Sequence, residues 1–226
     1  MLPIHRILIL SASLFFMTSL SAETDLTAEE KAGHSVPVTK QNNLPAPLPD
    51  SPSLSDENRY GVVLYRGNGV LNNFAEIISL DRLEYANARV YVVGLNYKLI
   101  TTAIRSLTFE VEGQVGKHEG VQKHWEGNIL LIARVAFWEN TLPTSFAFGN
   151  GLSWASEKPV FEEEEKGQET NQLLNFFIVE MDMGLPQIPG NPKGLFRIHH
   201  RSGIYGTYCP PTCGSNFISY GFKFSL

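Results

Sequence analysis

Beyond its first two dozen residues, this 226-residue chain has no run approaching the ~20 apolar residues of a spanning helix. If it meets a membrane there, strands must do so. An excess of positive charge is also missing. Eighteen Lys and Arg stand against 23 Asp and Glu, for a net charge of −5, so nothing electrostatic favours nucleic acid. Cysteine is scarce: there are two, Cys209 and Cys213, flanking Pro-Pro-Thr. A zinc site built on them would need further ligands at matching spacing, and none stand beside them, so neither metal nor cofactor is expected. In an exported chain a small loop disulfide is permissible, and a Cys209–Cys213 staple is favoured over free thiols. The last scarcity is of acid, because no Asp or Glu follows Asp182.

What is present begins with an export signal over residues 1–21. His5 and Arg6 precede an apolar run from Ile7 to Phe16, and small residues at Ser21 and Ala22 suit cleavage. Residues 22–58 are polar and carry Pro45, Pro47, Pro49 and Pro52 without apolar periodicity, which predicts a disordered leader. About 170 residues remain, one domain's worth.

That domain, residues 59–226, alternates. Eight segments have the period of two that places successive side chains on opposite faces of a strand. They are centred on 60–68, 88–100, 107–118, 125–137, 144–155, 173–185, 194–206 and 216–226. Each is near the ~9–11 residues of a membrane-crossing strand. The fold class expected is all-β, an eight-stranded antiparallel transmembrane barrel of the outer-membrane type. The parity carrying Glu110, Glu112, Glu126, Glu180 and Asp182 also carries Arg134, Arg197 and Arg201. Such a set neutralises itself inside a narrow lumen, which argues against a water-filled pore. The rival is a soluble up-and-down barrel of the lipocalin type, with charges outside and apolar residues inside. Connections near 69–87, 119–124, 156–172 and 205–215 are mostly the longer and more polar ones, as outer loops are. His118 and His124 are expected as exposed loop residues there, and Glu162–Glu165 as a solvated run.

The seventh segment carries the chemistry. Phe196, Ile198, His200, Ser202 and Ile204 share one parity; Leu195, Arg197, His199, Arg201 and Gly203 share the other. If the first faces lipid, an imidazole and a hydroxyl project side by side at the membrane boundary, the minimum for a nucleophilic serine with its base. His199 points inward and takes no catalytic part. Phe196-Arg-Ile-His-His-Arg-Ser-Gly-Ile-Tyr-Gly206, with Gly214-Ser-Asn216, resembles the outer-membrane lipid A 3-O-deacylases of the PagL type and related acyloxyacyl-hydrolase-like proteins. The resemblance implies an enzyme that removes an ester-linked acyl chain from lipid A in the outer membrane, with Ser202 as nucleophile and His200 as base. Two departures stand out. Gly203 replaces the family's asparagine, and strand eight cannot supply the family's orienting glutamate. Asn216 shares the apolar parity of strand eight and is the candidate replacement; the Gly203 N–H is the candidate oxyanion donor. A barrel with this scaffold and no hydrolysis, serving envelope structure or surface contact, is the other reading. A narrow solute channel is a distant third. The sequence leaves open which ester is cleaved and whether two barrels pair as a homodimer.

Overall fold

The computed structural model describes residues 59–226 except 80–81, 103–106, 138–141, 166, 168, 205 and 211–212. The expected signal (1–21) and leader (22–58) lie outside the described residues. Among the described residues there are eight strands: β1 Tyr60–Val70, β2 Tyr85–Thr101, β3 Leu107–Gly120, β4 Trp125–Phe137, β5 Thr144–Ala155, β6 Leu173–Gly184, β7 Lys193–Ser202 and β8 Gly214–Ser225. Each pairs antiparallel with its sequence neighbour, and β1 closes on β8 from Gly61↔Ser225 to Val70↔Asn216. Closure leaves no unpaired edge, the condition for strands in a medium without water.

The outward parity is the apolar one. Leu95, Ile129, Leu131, Phe148 and Trp154 are each more than half exposed, which would be a severe liability in water. Trp125, Tyr91 and Tyr220 add aromatic side chains to the same exposed wall. Charges turn inward, so the lipocalin arrangement is inverted here. The protein is an eight-stranded barrel of the bacterial outer-membrane type.

Inside, ion pairs fill the space. Arg134 bonds Glu110 at 3.0 Å and both Glu180 and Asp182 at 2.6 Å. Arg197 bonds Glu112 at 2.7 Å and also Glu180. Lys223 reaches Glu110 at 2.9 Å. The inner parity is not purely polar. Leu130, Ile132, Phe176 and Ile178 form one buried apolar group, and Val63, Tyr65, Val90, Val92 and Phe217 belong to another. Side chains therefore plug the lumen, as in small barrels generally.

Call the end bearing the β1–β2, β3–β4, β5–β6 and β7–β8 connections the upper end. Three expectations fail there. The seventh strand stops at Ser202 rather than running to 206, and Ile204 takes a left-handed φ of 42°. Glu162 is not solvated. It is buried in a short π-helical turn, Phe161–Glu165, where it receives Arg201 at 2.9 Å, Ser215 at 2.7 Å and Thr170. His118 and His124 are buried as well, 1% and 3% exposed, because the β3–β4 hairpin turns them into the lumen. Their stacked rings, 4.2 Å apart, replace lost water contacts with each other.

Candidate active site

His200 and Ser202 stand on the outward parity at the upper end of β7. Phe196 of the same parity is exposed, and Arg197, His199 and Arg201 between them are buried inside. Antiparallel register sets His200 opposite Phe177 of β6 and Asn216 of β8. Ser202 lies opposite Asn175 and Gly214. Same-face neighbours two residues apart along a strand have backbones about 7 Å apart, so the two side chains share one patch of wall.

The register places Asn216 where it meets the imidazole: its Oδ1 lies 2.6 Å from His200 Nδ1. The roles follow from the amide's other end. Asn216 Nδ2 donates to the backbone carbonyl of Asn72 at 2.8 Å, and a carbonyl can only accept. The amide is thereby oriented with its oxygen toward the ring. Nδ1 must carry the proton and donate, which makes Nε2 the basic nitrogen.

The holder of Asn72 could not be read from alternation. Between β1 and β2 the chain forms a short helix, α1, over Phe74–Ile78. It folds back against the outer wall. Ile77 joins Val70, Ile198 and Ile218, with Phe74 and Val179 packed against them. The Phe74 ring lies 4.8 Å from that of His200, and Phe177 stands edge-on at 6.4 Å. Asn73 caps α1 by accepting from the Glu76 N–H at 3.0 Å, and the Glu76 carboxylate accepts from the Asn73 N–H at 3.0 Å. Asn73-Phe-Ala-Glu76 before Ile77-Ile78 is a capping-box pattern, the signal by which this cover could have been found.

Gly203 follows the last residue of β7, beyond the ladder. A Cβ there would lie 2.7 Å from the Sγ of both Cys209 and Cys213. These two cysteines are joined in a disulfide that packs with Leu174 and Tyr208. The space a larger residue would need after Ser202 is therefore filled by the disulfide. Gly214 opens β8 at φ +115°, and a Cβ would collide with the Arg201 carbonyl at 2.0 Å, so only glycine lets β8 start opposite Ser202. Asn175, across from Ser202, was missed by sequence reasoning. Its Nδ2 donates to the Gly151 carbonyl at 2.8 Å and it exchanges amide bonds with Asn150.

No family model matches the chain, and no curated protein does. Among solved structures, the chain is similar to the outer-membrane enzyme PagL, at 16% identity and a TM-score of 0.50, over 74% of this chain and 99% of that one. It is also similar to the N-terminal β-barrel domain of Pseudomonas aeruginosa OprF, at 11% identity and a TM-score of 0.42, over 75% and 99%. The likeness to PagL is one of fold.

Proposed function

We propose that the protein is an outer-membrane esterase that releases a fatty-acyl chain from lipid A, with Ser202 as nucleophile, His200 as base and Asn216 as the orienting residue. The observation that carries this reading is the oriented pair on the outer wall. Asn216 fixes the His200 tautomer through a 2.6 Å bond, and the 2.8 Å bond to Asn72 fixes Asn216. A side chain at this place meets lipid, so the ester must belong to a membrane lipid. Arg66 and Arg89 share the outward parity, and Arg66 lies 5.7 Å from the Tyr220 ring centroid. They offer cationic partners for a phosphate-bearing headgroup.

In the reaction, His200 Nε2 takes the proton as Ser202 Oγ attacks the ester carbonyl. The imidazolium then returns that proton to the departing sugar oxygen, leaving an acyl-serine. Water, deprotonated at Nε2, cleaves the acyl-serine to free fatty acid. The Gly203 N–H, beyond the ladder of β7, is the candidate donor to the tetrahedral oxyanion.

The amide at position 216 favours a second reading, a barrel of this scaffold without hydrolysis, because an amide cannot stabilise imidazolium as a carboxylate does. Mass analysis of lipid A from cells producing wild type or Ser202→Ala decides between them. Loss of one acyl chain in wild type alone supports the esterase. Unchanged lipid A with a properly inserted wild-type barrel rejects lipid A as substrate and leaves the scaffold reading.

A further inference from the structure

At the upper end of the lumen, on the opposite side of the wall from His200, the β3–β4 hairpin gathers His118, His124 and Glu126. One donor atom from each lies within 4.8 Å of the others, and all three residues are buried. The hairpin holds them firmly, since the His118 N–H donates to the His124 carbonyl at 3.0 Å and Glu126 pairs with Gly116 across the ladder. We propose that these residues bind a divalent transition cation of the zinc class, an intralumenal metal site separate from the lipid-facing serine and histidine.

Two orphaned atoms support the proposal. His124 Nε2 is buried with no hydrogen-bond partner among the described residues, and so is Gln122 Oε1. Gln122 explains the second orphan. Its Nε2 lies 2.7 Å from His118 Nδ1, an arrangement that makes Nδ1 an acceptor and leaves the amide oxygen with nothing to accept. Turning the amide over lets Oε1 accept from Nδ1–H, as the outer partners of metal-bound imidazoles do. His118 Nε2 then presents a lone pair toward Glu126 Oε2, 2.8 Å away. Without a metal, a proton on that nitrogen is shared with the carboxylate; a bound cation would take the proton's place.

Two imidazole nitrogens and one carboxylate oxygen form a mixed set that suits zinc better than calcium or magnesium. Asn128 donates to Glu126 Oε1 at 2.8 Å and holds the carboxylate from behind, while His199 Nε2 lies 3.0 Å from the same oxygen without hydrogen-bond geometry. Arg201 approaches Glu126 to 3.9 Å, but its guanidinium is matched by Glu162 at 2.9 Å. A bound cation would tie the β3–β4 hairpin to β7 through Glu126 and His199.

The test uses untagged full-length barrel refolded in detergent, loaded with Zn2+ and passed through a desalting column. The expected result is one zinc per wild-type chain, near-complete loss in His124→Gln and Glu126→Gln, and about ten- to hundredfold weaker binding in Gln122→Ala. His200→Ala retains the metal. Should the ligand variants fail to fold, Co2+ loading of wild type gives the answer. An intense visible spectrum of low-coordinate cobalt supports the site, and the faint spectrum of hydrated cobalt overturns it. Wild type that emerges without zinc, or His124→Gln that holds as much as wild type, also overturns it.

Discussion

At Asn216 one amide serves two partners with opposite needs. The imidazole of His200 needs an acceptor, and the Asn72 carbonyl needs a donor. The amide supplies both and a carboxylate only the acceptor, so Asn216→Asp is not the simple gain its charge promises. One of its oxygens would confront the Asn72 carbonyl, and the loop would be pushed off the wall. Steady-state acyl release is therefore expected to fall in both Asn216→Ala and Asn216→Asp, less than the ~10²–10⁴-fold loss expected for His200→Ala. An Asn216→Asp barrel faster than wild type would show that the bond to Asn72 does not set the geometry. How far these residues were legible follows from what carried them. His200, Ser202 and Asn216 lie on strands, where parity gives the face and a hairpin register gives the neighbour. Asn72 contributes a backbone carbonyl from a loop, which leaves no mark in the residue pattern. His118 and His124 looked like loop residues because they bracket a turn. Yet His118 shares the inward parity of Glu112 and Gln114, and His124 that of Glu126, so alternation carried their facing and only the length of the hairpin, with β3 running on to Gly120, was misjudged.

Among the elements, α1 is the piece that the period-two pattern hid. It has five residues, too few to stand alone in water. Its stability must come from the capping box and from Ile77 and Phe74 lying on the wall. Removing the Glu76 side chain takes away one of the two reciprocal cap bonds, at a cost of about 1 kcal/mol. Phe74→Ala removes the ring over His200 and leaves the strands untouched. Both variants are expected to insert normally, to be cut faster in the β1–β2 connection by an added protease, and to turn over lipid more slowly. Protease resistance equal to wild type in both would mean that α1 is held by something else. The strands themselves were readable. β4 and β5 match the sequence segments end for end, since turn-forming residues bound them on both sides. The inner parity was read as charged, whereas it is mixed. In β6, Phe176 and Ile178 face inward while Phe177 and Val179 face outward, so apolarity alone does not tell the faces apart there.

At the scale of the whole molecule, the interior is a network of charges within a wall facing hydrocarbon. Arg197 is fully buried between Glu112 and Glu180 and connects β3, β6 and β7 across the lumen. Arg197→Met would take the cation from Glu112 and leave Glu180 with Arg134 alone, and breaking such a buried pair costs about 3–5 kcal/mol. Urea unfolding of the barrel in detergent should show a loss of that order; one below about 1 kcal/mol, the scale of an exposed pair, would mean that water enters the lumen freely. The seam where β1 meets β8 has a consequence of another kind. It joins residues far apart in the chain, the slowest sort of contact to make, and the candidate site straddles it, with Asn72 just past β1 and Asn216 on β8. Until that seam zips, His200 has no oriented partner. A chain in transit, with its edges still held apart, would carry its serine harmlessly past every lipid ester on the way, and closure in its membrane would be the event that switches it on.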